Sequence, residues 1–194
     1  GYYSREKSEN YTIEVADRLF LNKNFLDTIN YLIINSDIDT RKPYRYSDLG
    51  FIFLYKIVEE VTQVKFENFI DSILYKPMGT WSLCFNPLKK FDKSVIVPTE
   101  NDIIFRKQLV HGYVHDMAAA LMGGVSGHAG LFGNAFDVAK IMQLFLYGGQ
   151  YDDLKIFDKK TIDYFTSCVN CNKGNRRGLG FDKPAIVKSN SEIY

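Results

Sequence analysis

The run from Tyr46 to Gly79 constrains this 194-residue chain more than any other stretch. Leu49, Phe53, Ile57 and Val61 recur every four residues and Ile52 widens the stripe, the spacing that stacks apolar side chains on one helix face. A helix over 47–62 is therefore predicted, buried along Leu49, Phe53, Ile57 and Val61 against a core. Ser47 or Asp48 caps its start, because a short polar oxygen satisfies backbone N–H groups left free in the first turn. A second helical run begins at Phe66 and is stopped by Pro77 and Gly79. Hydrophobic content of 46% and charged content of 24% are those of a globular protein able to bury one such core.

The rest of the chain reads as follows. Phe25, Ile29, Leu32 and Ile33 predict a helix over 25–34, and residues 11–21 form a strand or an irregular segment. Pro87 and Pro98 punctuate loops with short strands over 80–110. Asp116 caps a short alanine-rich helix to Met122, an apolar helix covers 134–147 and ends at Gly148-Gly149, and Asp158 caps a last helix toward Cys168. Residues 177–181 read as the start of a strand. There is no internal repeat, low-complexity tract or interdomain linker.

Charge and length exclude some functions. A net charge of +1, from 24 basic and 23 acidic residues, gives no sign of nucleic acid or an anionic membrane as partner. No apolar run approaches the ~20 residues of a membrane span. The N-terminus carries no apolar signal core and reads as an excised boundary.

Several constellations fail on their chemistry. Ser4-Arg-Glu-Lys7 spells Ser-x-x-Lys, but Ser8, Glu9 and Asn10 follow, and no buried helix begins there to bring serine and lysine onto one face. Ser126 lies in Gly124-Val-Ser-Gly-His128, where glycine follows serine directly, so the Gly-x-Ser-x-Gly elbow is not met. The glycines there instead predict tight turns and close approach between helical and sheet regions. The same stretch lacks the Lys-Ser/Thr of a phosphate loop.

His111 and His115 have the spacing of a helical metal pair. Gly112 and the β-favouring Tyr113-Val114 argue against a helix, so His115 is expected to be structural, bonded to backbone or to Asp116. Cys168-Val-Asn-Cys171 lacks two further zinc ligands and the βαβ setting of a redox pair. A local disulfide and free loop thiols both remain open. No motif calls for a cofactor or a metal.

Tyr46-Ser47-Asp48, the helix behind it and the Pro77-Met78-Gly79 corner resemble the second active-site motif of the serine β-lactamase and DD-peptidase superfamily. There a Tyr-x-Asn triplet is followed by glycine, a helix and a Pro-Leu-Gly-Met corner. Residues 98–102, 112–116, 123–132 and 175–184 are similar to one branch, in which a β-lactamase-like domain follows a family-3-type β-N-acetylglucosaminidase. The resemblance implies a helix-rich α+β fold, a partial serine β-lactamase/penicillin-binding-protein-like domain over 1–194 that is mainly the helical subdomain. It lacks the Ser-x-x-Lys segment and the Lys/His-Thr/Ser-Gly strand, so this chain is expected to be inactive by itself.

By the same resemblance the parent is an acyl-transferring serine hydrolase acting on cell-wall-derived peptide or ester, in the periplasm or cell envelope. The alternative is a silent module that binds peptidoglycan beside its glycosidase. Tyr46 and Asp48 are the implied site residues. By spacing alone Tyr46 is one of 13 tyrosines and reads as a packing or surface residue. A free phenol titrates near pH ~10 and serves as a base only beside a cation. Asp48 stands where the family mostly carries Asn, and a carboxylate cannot donate to a substrate carbonyl.

Overall fold

The computed structural model describes residues 1–38, 41, 45–173 and 175–184. The 11–21 stretch is a hairpin. β1 (Tyr3–Ser4), β2 (Tyr11–Ala16) and β3 (Leu19–Asn22) make an antiparallel sheet in the order β1-β3-β2. Arg18, at φ 50°, takes the left-handed backbone that turns β2 into β3. Val15, Ala16, Leu19 and Leu21 from this hairpin pack with Val114, Ala119 and Ala120 into one buried cluster. α1 (Phe25–Ile34) lies where its periodicity placed it, but it only leans Phe25 and Ile29 on that cluster and has no fully buried residue.

α2 (Leu49–Thr62) also forms as predicted, yet it buries another face. Ile52 and Tyr55 are its buried residues, whereas Phe53 is 39%, Ile57 54% and Val61 77% exposed. The four-residue spacing misleads because Ile52, Leu54, Tyr55 and Val58 make the helix apolar on more than one side. The neighbours decide. The Tyr55 ring packs 5.9 Å from that of Phe66, and its hydroxyl donates to Met122 Sδ at 3.8 Å.

α3 (Phe66–Ile70) runs on into a π-helical turn, Asp71–Tyr75, ahead of Pro77. Leu74, Tyr75, Met78 and Leu83 from this corner join Leu144 of a later helix in a second buried cluster. Short strands follow: β4 (Cys84–Phe85), then β5 (Glu100–Asp102) paired with β6 (Gln108–Val110). α4 (Met117–Leu121) is capped as expected, the Asp116 carboxylate accepting the Ala119 amide at 2.7 Å. β7 (Leu131–Phe132) pairs back onto β4, and α5 (Ala135–Leu146) starts from an Asn134 cap. A small hairpin, β8 (Gln150–Tyr151) and β9 (Leu154–Lys155), precedes α6 (Lys159–Thr166).

Residues 177–181 are not a strand. Their amides turn inward instead, Gly178 to the Phe181 carbonyl at 2.9 Å and Leu179 to the Phe165 carbonyl at 2.8 Å, which leaves no free edge for a ladder. Cys168 and Cys171 form a disulfide. No helix among the described residues is long and apolar enough to cross a membrane.

The turn between β5 and β6 is inside out. Ile103 and Ile104 are 76% and 73% exposed, while Asp102 and Arg106 are buried. Asp102 accepts the amides of Ile104, Phe105 and Arg106, and this tight turn throws the isoleucines outward. Arg106 then reaches inward to Asp102, Glu100 and the carbonyls of Val114 and His115. That guanidinium fixes the backbone just ahead of Asp116.

Candidate active site

Tyr46 stands just before α2 and is 65% exposed. The Arg177 guanidinium lies 5.2 Å over the ring, within cation–π range, and is itself held by Asp182 at 3.1 Å. The polar residues after Tyr46 share the turn into the helix. Ser47 Oγ accepts the Leu49 amide at 3.2 Å, and the Asp48 carbonyl accepts those of Phe51 and Ile52 at 3.0 Å each. The Asp48 side chain makes no capping bond, so of the two expected caps only Ser47 acts as one.

Asp48 faces a group that sequence reasoning did not assemble. His128 bridges Ser126 and Asp116: Nδ1 is 2.9 Å from Ser126 Oγ and Nε2 is 2.9 Å from Asp116 Oδ1. An ionised carboxylate only accepts, so Nε2 carries a proton toward Asp116 and, in the neutral ring, Nδ1 accepts from the Ser126 hydroxyl. The His128 side chain is 4% exposed and that of Asp116 35%. A ligand atom from Asp48 lies within 4.8 Å of both Asp116 and His128. Burial pushes the Asp116 carboxyl up, but the Ala119 amide, His128 and the Ala118 amide outweigh it and hold the group below the ordinary carboxylate range.

Glycine makes this meeting possible. A Cβ at Gly127 would collide with the Phe51 carbonyl oxygen, so only glycine lets the 126–128 loop sit on the first turn of α2. The close approach at this glycine is of a loop to a helix rather than of helix to sheet.

The order serine, histidine, aspartate is that of an acyl-transfer triad, but Ser126 is 2% exposed and its hydroxyl is sealed from solvent. Ser4 lies in β1, its Oγ bonded to the Glu6 carbonyl at 2.8 Å, and starts no helix. His111 and His115 lie on no helix and go separate ways. His111 Nε2 contacts the Ile96 carbonyl, while the His115 ring is exposed, 3.4 Å from Glu100, and only its carbonyl is structurally engaged, by Arg106. Tyr46 and Asp48 therefore share one corner with Asp116 and His128, two residues that spacing alone did not single out. The available signal was a histidine enclosed by glycines, in a stretch already marked for close approach.

No family model matches the chain. It is 40% identical over 138 residues to a protein of Salmonella gallinarum named putative D-alanyl-D-alanine carboxypeptidase, a match covering 65% of this chain and 32% of that protein. A protein of the same name from Salmonella enteritidis is 41% identical over 133 residues, covering 62% of this chain and 31% of the relative. The chain thus spans about a third of the length of the curated relatives it matches. Among solved structures it resembles the octameric penicillin-binding protein homologue from Pyrococcus abyssi, with a TM-score of 0.52, 21% identity, and coverage of 74% of this chain and 30% of that one. In sequence and in fold the chain is similar to the DD-peptidase and β-lactamase-like proteins, and it carries part of their α+β fold.

Proposed function

We infer that this chain supplies the tyrosine corner of a serine acyl hydrolase of the DD-peptidase type, acting on cell-wall-derived peptide or ester in the cell envelope. The observation that carries this reading is the placement of Tyr46: an exposed phenol at the mouth of α2, its ring held under Arg177. In the reaction proposed, a serine outside this chain's own candidates attacks the carbonyl, Tyr46 carries the proton between nucleophile and leaving group, and water releases the acyl group. The names of the Salmonella relatives support a D-alanyl-D-alanine peptide as substrate class.

The test is Tyr46→Phe in the full-length protein, measuring D-alanine release from a peptide ending in D-Ala-D-Ala. Loss of a general acid–base group is expected to lower kcat by ~10²–10⁴ with an unchanged melting temperature. Wild-type turnover in the variant would remove Tyr46 from the mechanism.

A second reading is a catalytically silent wall-binding module. Asp48 favours it, because an acceptor-only carboxylate replaces the amide that would donate to substrate. Retained peptidoglycan binding with no acylation in the full-length protein would select it. The finer resemblance, to domains joined to a family-3-type β-N-acetylglucosaminidase, rests on the motifs at 98–102, 112–116, 123–132 and 175–184. Hydrolysis of a chromogenic N-acetylglucosaminide by the full-length protein tests it.

A further inference from the structure

We propose that Asp48, Asp116 and His128 form a binding site for one divalent cation of the Zn²⁺ type. They present two carboxylate oxygens and an imidazole nitrogen, all within 4.8 Å of one another. Tetrahedral zinc with bonds of about 2.0–2.2 Å sets its ligand atoms roughly 3.3–3.6 Å apart. Only small side-chain shifts separate the observed cluster from that geometry. The closest pair, His128 Nε2 and Asp116 Oδ1 at 2.9 Å, opens slightly as the cation takes the place of the proton between them.

Two further observations point to a cation. The Asp48 carboxylate is partly buried yet receives no hydrogen bond and no ion pair from any described residue, so it is an idle ligand aimed into the cluster. No lysine or arginine among the described residues pairs with Asp116 either; its only ionic partner is His128. Two carboxylates so close repel one another in the absence of a cation, and the His128 hydrogen bond to Asp116 leaves the Asp48 carboxylate uncompensated.

The second support of a metal-bound histidine is already in place. With Nε2 on the cation, the ring proton moves from Nε2 to Nδ1, and the Ser126 hydroxyl at 2.9 Å rotates from donor to acceptor to hold the ring. The ligands come from three separate elements. They lie at the starts of α2 and α4 and on the loop that Gly127 seats against α2.

The donor set selects the metal class. Calcium and magnesium take oxygen shells, whereas an imidazole nitrogen beside carboxylates suits zinc and its first-row neighbours. Three protein ligands leave a fourth position for water.

The site is tested on the 194-residue chain after EDTA treatment and dialysis, by calorimetric titration with ZnCl₂, MgCl₂ and CaCl₂. One zinc per chain is expected, with affinity lowered at least ~10-fold in Asp48→Asn and in His128→Gln. Zinc should raise the melting temperature of the wild type and leave that of Asp48→Asn unmoved. Without metal Asp48→Asn should melt no lower than the wild type, since the Asp48 side chain contributes no hydrogen bond to the fold. The proposal is overturned by absence of zinc binding, by zinc binding undiminished in Asp48→Asn, by its loss in His111→Ala or Cys84→Ser, or by preference for magnesium or calcium. None of these outcomes depends on hydrolytic activity.

Discussion

Replacing Asp102 by Asn keeps the side-chain volume and removes one negative charge from beside a guanidinium that has no exposed surface. In the folded protein Asp102 Oδ1 accepts the amides of Ile104 and Phe105 at 2.9 and 2.8 Å. Oδ2 accepts the Arg106 amide and Nε at 3.0 and 2.7 Å. An amide at this position preserves the first pair and sets N–H against N–H in the second. Breaking one partner of a buried pair costs ~3–5 kcal/mol. Glu100 and two backbone carbonyls still hold Arg106, so the lower end, about 3 kcal/mol, is expected. At ~2–4 °C per kcal/mol for a chain of this size, the melting temperature falls by roughly 6–12 °C.

The acid limb of stability changes with it. Burial alone would push the Asp102 carboxyl up, but the Arg106 guanidinium and the amides of Phe105, Arg106 and Ile104 outweigh it and hold it well below the usual range. A group whose folded value is depressed stabilises fully above its unfolded value near ~3.9 and loses that contribution as pH falls toward the folded value. The wild type should therefore lose stability steeply below pH ~4, and Asp102→Asn less steeply. Thermal unfolding followed by circular dichroism from pH 7 downward measures both effects. A cost under ~1 kcal/mol with an unchanged acid slope would refute the idea that Asp102 keeps Arg106 inside.

Three other outcomes are expected. Ile52→Ala should cost ~2–5 kcal/mol in urea unfolding, whereas Phe53→Ala, at a 39% exposed site, should cost well under the ~3–5 kcal/mol of a buried phenylalanine; equal costs would mean the orientation of α2 is misassigned. Gly127→Ala should cost ~1–3 kcal/mol by overpacking and shift the His128 imidazole NMR signals, because the loop must lift off the Phe51 carbonyl. The 194-residue chain should take up no fluorescent acylating probe by intact mass, since Ser126 is sealed and Ser4 lies in a strand; an adduct on either serine would restore it as a nucleophile.

The helices were legible where one signal dominated. Asp116 caps α4 as expected, whereas the Asp158 side chain, expected to cap α6, makes no capping bond, and the spacing of Phe25, Ile29, Leu32 and Ile33 marks α1 within its observed bounds. Orientation was not legible in α2, whose Leu49-Phe53-Ile57-Val61 stripe competes with Ile52 and Tyr55; the choice belongs to Phe66, Met122 and Gly127, which are distant in sequence. The β5–β6 turn hid its logic more fully, because Ile103-Ile104 reads as core and Asp102 and Arg106 as surface. Side-chain hydrogen bonds to consecutive amides reverse that order. At the candidate site Tyr46 and Asp48 were found by resemblance, whereas Asp116 and His128 join them only through tertiary folding.

The wet stripe of α2 has a consequence for motion. A helix packed on one side has few buried contacts to lose when it opens, and α1, with no fully buried residue, is in the same position. Amide hydrogens in these two helices should exchange with solvent well before those of β3 or α4, whose residues belong to the first buried cluster. The tyrosine corner is thus mounted on one of the first segments of the protein to open. Its position is kept less by its own helix than by the glycine-seated loop pressed against that helix from outside.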